Sequence, residues 1–496
     1  MTMRDEHKRV AKEGGFAWAF SLIGAVVRYG NSIILTRMLG ARDFGFYALA
    51  NTIVTVTAIA TSFGFPTSLV HFVAKDNETR RYGSLKWFVR AAVRVTTIVS
   101  LVVVTALLLL VPFISDTVYK KSELNLPLFG LALSIPFLAL YNVKSSVLQG
   151  LRRIRKRVFI ERIAHPLLYS ALLLLGAFYF RRMEFVLACF IASAAAVFAL
   201  SHYWSTRELV SIPDEAPSPS PQWKELFSFS TPILFLNFLN FLILQSDIII
   251  IGFFTSAKEV GIYAIASRLA QGVGMPADSL GASLAPSFSA MTGKNDFEGL
   301  ANVYKTSTRW IFMAASFVSL LLVFGSDLIL SIFGKDFKNG VAVLCILTVG
   351  QLFSAAMGTN GTLITQTGHP KVNLVNAIAM GAGNILLLLF LVPRYGALGA
   401  AAASALSLIL LNIARSVEIE VILKISPWNR TILKPLLALA AGIAAGYLTL
   451  KFSGIAALVC STGAFGAVML LLGFEKEDRE MWEKIRSRFL PAGQNG

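Results

Sequence analysis

Charge is scarce in this chain. Only 15% of its 496 residues are charged, while 55% are hydrophobic and the mean hydropathy is +0.66. Soluble globular chains carry about 25% charged residues, so a soluble fold is excluded. The marks of most enzymes are missing as well. Three cysteines (Cys189, Cys345, Cys460) lie far apart in separate apolar stretches. They suit packing and form neither a disulfide framework nor a thiolate metal site. Five histidines (His7, His71, His165, His202, His369) show no metal-ligand spacing. Gly-Lys at residues 293–294 and 334–335 is followed by Asn and Asp, so no phosphate-binding loop of the Gly-x-x-x-x-Gly-Lys-Ser/Thr type is present. The glycines of "QGVGMPADSLG" sit in an apolar run without a βαβ context. No nucleophile–base pairing is visible. Short alternating strands are absent too, which excludes a membrane β-barrel. These absences argue against an enzyme and against a resident metal or cofactor.

What is abundant is apolar sequence in runs of about 20 residues, the length that crosses a bilayer as a helix. Some fourteen spans are expected, with cores near 16–40, 44–74, 86–113, 125–150, 158–180, 183–205, 224–254, 258–290, 306–333, 339–366, 371–393, 396–423, 431–450 and 455–473. All must be helical, because hydrocarbon satisfies no open backbone. The first run is too long for a cleaved signal peptide and contains Arg28 and Arg37. With both termini placed in the cytoplasm, 28 Lys and Arg flank the spans on the inside and ten on the outside, the bias that orients helices in a cell membrane. The run "LRRIRKR" at Leu151–Arg157 then lies beside anionic headgroups. No nucleic acid is implied.

Seven basic residues remain inside the expected spans: Arg28, Arg37, Arg90, Arg94, Lys144, Arg268 and Arg415. Acidic partners are fewer: Asp247 and Asp278, with Glu418 and Glu420 near an edge. Charges at bilayer depth are costly and usually face a polar path or each other, so an excess of cations implies that something anionic is handled. For Arg90, Arg94 and Lys144, near predicted cytoplasmic ends, snorkelling to the headgroups is the competing reading.

The chain also repeats itself. "GFYALA" at Gly45–Ala50 and "GIYAIA" at Gly261–Ala266 lie 216 positions apart, and "FGFP" at Phe63–Pro66 answers "VGMP" at Val273–Pro276 at an offset of 210. Each hexapeptide follows an apolar span and a polar turn, and opens the next span. Spans 1–6 and 7–12 therefore read as a duplication with parallel orientation. Between them, Pro213–Pro221 holds four prolines in nine residues, an extended linker. The expected layout is an N-lobe (1–212), a cytoplasmic linker (213–223), a C-lobe (224–423), two further helices (424–473) and a cytoplasmic tail (474–496). The tail places Phe474, Met481, Trp482, Ile485 and Phe489 on one helical side, as interfacial helices do. Two such bundles with the substrate between them is a transporter plan. Pro66, Pro136, Pro232, Pro276 and Pro286 are expected to kink their helices, and "GALGAAAASALS" at Gly396–Ser407 to form a close-packing face.

"TRMLGARDFGFYALA", "QSDIIIIGFFTSAKEVGIYAIASRLA", "FGKDFKNGVAVLCIL" and "VPRYGALGAAAASALS" together resemble the polysaccharide-biosynthesis flippases of the multidrug/oligosaccharidyl-lipid/polysaccharide exporter superfamily. The resemblance spans nearly the whole chain. It implies an all-α integral membrane protein of fourteen helices: two six-helix lobes around a central cavity, plus two more. It also implies movement of a polyprenyl-(pyro)phosphate-linked oligosaccharide from the cytoplasmic to the outer leaflet by alternating access. Alternatives are a lipid II flippase, a cation-coupled multidrug exporter of the same fold and, from another class, a membrane glycosyltransferase or polymerase. The last would need catalytic groups in sizeable loops, and these loops are short. Five span cations in the first half would repel cationic drugs.

An anionic lipid link needs cations along its path. The expected cavity set is Arg28, Arg37, Arg94, Lys144 and Arg268. Arg28 and Arg37, nine residues apart, point about 180° apart on a straight helix, so Arg28 is the better cavity residue. Three roles stay open for Asp247: an ion pair with Arg268, a site for a coupling Na⁺ or proton, or helix packing. Expected partners are the lipid-linked oligosaccharide, membrane lipids, a coupling ion, and a glycan polymerase or glycosyltransferase docked on the tail. Tyr29, Asn31, Tyr141, Asn142, Asn237, Asn240, Asn360, Gln366 and Asn384 offer sugar-binding walls, or interhelical hydrogen bonds.

Overall fold

The computed structural model describes residues 3–176, 182–213, 222–428 and 430–473. Most of the expected linker and the amphipathic tail lie outside them. The described residues form helices, with no strand among them. Ten of their stretches are long and apolar enough to cross a bilayer. The described parts of the expected span cores are mostly helical, with turns inside several of them, and the elements do not divide into fourteen. The longest two, α1 and α15, each carry two expected spans, and other spans break into shorter helices. The chain packs as two compact units, Met1–Gly261 and Ile262–Gly496.

The first unit holds α1 (Met3–Thr61), α2 (Phe65–Glu78), α3 (Tyr82–Pro112), α4 (Asn125–Ala132), α5 (Ile135–Gly150), α6 (Ile154–Phe159), α7 (His165–Gly176), α8 (Met183–Val210) and α9 (Trp223–Phe254). α1 is broken at Gly40, whose φ of 73° and ψ of 177° are not helical. Its side chains show the bend directly. Asn31 donates to the Pro166 carbonyl (3.0 Å) and Tyr47 meets Tyr169 through their hydroxyls (3.2 Å). On a straight helix residues 31 and 47 would be about 24 Å apart, yet their partners lie within one turn of α7. Pro66 and Pro136 stand in the first turns of α2 and α5. They begin helices rather than kinking them, because a first-turn residue needs no backbone N–H. Pro232 lies inside α9.

α9, expected to open the second lobe, packs on α1 and α2 within the first unit. Several contacts hold it. Trp223 and Phe227 join the Phe63, Phe65 and Trp87 aromatic cluster. Ser230 donates to Ser68 (2.7 Å). At the other end, the Lys121 ammonium donates to the Gly252 and Thr255 carbonyls, capping the negative end of α9. Burial lowers the Lys121 pKa, and the Glu259 carboxylate works the other way.

The repeated glycines meet inside this unit. A Cβ on Gly45 would lie 1.7 Å from the Ala257 carbonyl oxygen, and one on Gly261 would lie 2.3 Å from that of Ala41. Ala41 and Ala257 precede their glycines by the same four residues, so the two contacts are one contact related by the 216-residue shift. The hexapeptides are alike because each glycine must lie against the other copy's backbone.

The second unit holds α10 (Ala257–Gly293), whose first turn belongs to unit one, then α11 (Phe297–Phe324), α12 (Ser326–Phe333), α13 (Val341–Ala356), α14 (Asn360–Gln366), α15 (Pro370–Leu423), α16 (Leu433–Thr449) and α17 (Gly454–Leu472). Pro276 and Pro286 lie inside α10. α15 is a hairpin. Gly396, with φ 56° and ψ −135°, interrupts it, and Asn376 donates to the Glu418 carboxylate across the bend. Ala400, Ala401, Ala403 and Ala405 of the small-residue face are buried, and α15 packs on α13. Small residues supply contact where lipid gives apolar side chains no reason to associate. Asn360 donates to the Asn412 side chain (3.0 Å), which donates to Ser354 (3.0 Å). Arg309 lies within α11 at 4% exposure.

Candidate functional site: a cationic groove in the first unit

α3 begins with "YGSLKWFVRAAVR". Lys86, Arg90 and Arg94 stand four residues apart, so they form one stripe on the helix face. Like charges at this spacing cost about 0.2–0.5 kcal/mol per pair in an isolated helix. α5 sets Lys144 behind the stripe at 7% exposure, and α8 closes the other side with Thr206, Leu209 and Val210. With Val89 and Val93 these residues enclose a cavity of about 510 Å³, within the range of small-ligand sites.

Among the described residues no carboxylate lines the groove. Three carboxylates at this end of the unit are engaged elsewhere: Glu78 with Arg152 (2.6 Å), Glu225 with Lys75 (3.5 Å), and Glu208 with both Lys156 (2.6 Å) and Arg153 (2.9 Å). Lys86 is tied by its ammonium to the Ile212 and Pro213 carbonyls (3.2 and 3.4 Å). Among the described residues no carboxylate pairs with Arg90, Arg94 or Lys144. Burying an unpaired ammonium is expensive, so the site's electrostatics favour an anion.

The structure thus gathers two of the five expected cavity cations, Arg94 and Lys144, into one groove. Arg28 and Arg37 lie on α1, both exposed and outside its lining. Arg268 lies exposed on α10, in the second unit. Asp247 is buried on α9 at 9% exposure, and its carboxylate accepts from the Ile248 backbone N–H (2.9 Å). Lys86 and Arg90 were not among the expected site residues. Their four-residue spacing with Arg94 was the signal. Of the expected sugar-binding candidates, Asn31 and Asn360 serve as interhelical clamps.

The fold is that of a membrane transporter of the multidrug/oligosaccharidyl-lipid/polysaccharide superfamily. It superposes on an inward-facing multidrug resistance MATE family transporter with a TM-score of 0.65, at 15% identity over 81% of this chain and 98% of that one. It also superposes on the lipid II flippase MurJ in an inward closed conformation, with a TM-score of 0.62 at 14% identity over 90% of this chain and 98% of that one. The chain belongs to the polysaccharide biosynthesis protein family, whose model matches residues 10–292, more than half its length. The MatE model matches residues 232–392. Among curated relatives, the chain is 23% identical to a putative O-antigen transporter of Shigella flexneri, over 80% of this chain and 93% of the relative. It is 21% identical to a probable low-salt glycan biosynthesis flippase, Agl15, of Haloferax volcanii, over 78% of each.

Proposed function

We propose that the protein is a flippase that carries a polyprenyl-(pyro)phosphate-linked oligosaccharide from the cytoplasmic to the outer leaflet, for assembly of a surface glycan. The observation that carries the reading is family membership, together with relatives named as glycan transporters and matched over most of their length. Physical chemistry supports it. A saccharide and a phosphate cannot cross hydrocarbon unaided, and the span cations Arg28, Arg37, Arg94, Lys144 and Arg268 supply the charge that a phosphate requires. The protein acts as a carrier and not a catalyst. It lies in the cell membrane with both termini cytoplasmic, the orientation favoured by its basic loops. Asp247, buried on α9, is the candidate for a coupling Na⁺ or proton. The described groove lies at the end of the unit that holds Arg152–Arg157, hence on the cytoplasmic face.

The MatE match over 232–392 favours a second reading, an exporter of amphipathic drugs. Native mass spectrometry separates the two. A short polyprenyl-pyrophosphate saccharide should bind the purified protein, bind more weakly to Arg28→Ala, and resist competition by a cationic dye. Dye binding without lipid binding would select the second reading.

A further inference from the structure

We propose that the groove on α3, α5 and α8 is a loading site, which holds the lipid-borne phosphate of the substrate at the membrane surface before translocation. The identity of the lipid rests on the flippase reading. The preference for a phosphate rests on the groove alone.

Depth is the first argument. Beyond Arg94, α3 runs through 18 residues without a charge, Val95–Pro112, about 27 Å of helix. That nearly fills a hydrocarbon core of about 30 Å. Lys86, Arg90 and Arg94 therefore stand at headgroup level, where a lipid phosphate lies. Composition is the second. Two arginines face the opening, and a planar guanidinium fork matches phosphate oxygens two at a time. Lys144 forms the floor as a buried point charge, and Thr206 is within the lining. The third argument is the apolar wall. Val89, Val93, Leu209 and Val210 line the same cavity, and Val210 is 76% exposed. A free phosphate has no use for them, whereas a phosphate carried on a hydrocarbon chain does. Snorkelling alone explains a cation near the headgroups. It does not explain why four cations converge on one cavity while every neighbouring acid named above is paired elsewhere.

The test is thermal unfolding of the full chain in detergent, titrated with geranylgeranyl phosphate, with geranylgeraniol and phosphatidylglycerol as comparisons. Ligand binding raises the midpoint by an amount that grows with the logarithm of ligand concentration over Kd. The phosphate should raise the midpoint and the alcohol should not. R90Q and R94Q should each weaken binding roughly tenfold, and the double variant roughly a hundredfold. Both residues are exposed, so these variants should fold; Lys144→Met is the buried counterpart. Wild-type affinity in R90Q/R94Q would overturn the loading site and leave the flippase reading intact, with the phosphate held elsewhere. Equal binding of phosphatidylglycerol, lost in the same variants, would assign the groove to bulk anionic lipid and overturn its role in loading. A wild-type protein indifferent to the phosphate would overturn the inference outright, and the saccharide titration above would then judge the flippase reading separately.

Discussion

"FGFP" at Phe63–Pro66 and "VGMP" at Val273–Pro276 occupy matching places in the two copies of the repeat, yet their backbones differ. The first is a break between α1 and α2, with Phe63 at φ 50° and Gly64 at φ 71°. The second passes through the middle of unbroken α10. Neighbours explain the difference. Phe63 is a bulky residue in left-handed backbone, a strain of about 1–3 kcal/mol. Its ring packs against Phe65 (5.6 Å) and Phe227 (5.4 Å), and each aromatic contact contributes about 0.5–1.5 kcal/mol. The two terms are of one size, so the break survives where those rings meet. Val273 has no comparable ring contact and is fully buried in an aliphatic cluster with Ile311 and Ala315. The lesson is that a sequence repeat reports equivalent places in a bundle, while the backbone at each place follows its own neighbours. The hexapeptide glycines behave in the opposite way, since they make the same contact from both sides.

Substitution should break this comparison most severely at the hexapeptides. Gly45→Leu or Gly261→Leu must drive two backbones apart, at a cost of more than about 4 kcal/mol, and should abolish monodisperse protein in detergent. Gly30→Leu, with open space beside it, should leave the yield unchanged. Next comes Gly64→Ala. It combines a positive φ with a Cβ 2.5 Å from the Ser230 carbonyl and should cost about 2–3 kcal/mol, seen as a lower unfolding midpoint. Asn376→Leu removes the Glu418 contact that closes the α15 hairpin and should cost about 1–2 kcal/mol by the same measure. Gly274→Ala should change least. Its Cβ meets only the tip of the Gln351 side chain, at 2.9 Å, and alanine gains up to about 1 kcal/mol of helix propensity. A midpoint for Gly274→Ala as low as that of Gly64→Ala would mean that the two places are equivalent after all.

Much of the fold was legible because hydrocarbon is an exacting solvent: apolar length and loop charge mark spans without any knowledge of packing. The hexapeptides marked a real contact. Other features were hidden. α9 looks from sequence like the start of a second lobe, and only the Trp223, Ser230 and Lys121 contacts reveal that it packs with the first unit. Pro66 and Pro136 look like kinks until Gly64 and the turn before α5 show that helices begin there. In the groove, Arg94 and Lys144 could be suspected singly as charges in apolar runs. Their convergence could not, because it depends on α5 lying beneath α3, a long-range packing fact. Lys86 and Arg90 were not picked out as site residues because each, taken alone, reads as a headgroup anchor.

The most direct measurement of the central claim is translocation in proteoliposomes. The full chain would be reconstituted with a fluorescent polyprenyl-pyrophosphate oligosaccharide, and loss of access to a quencher on one side followed with time. The account predicts that wild-type protein moves the lipid between leaflets and that R90Q/R94Q slows loading at low lipid concentration more than at saturation. Wild-type vesicles that leave the lipid in place while exporting a cationic dye would contradict it.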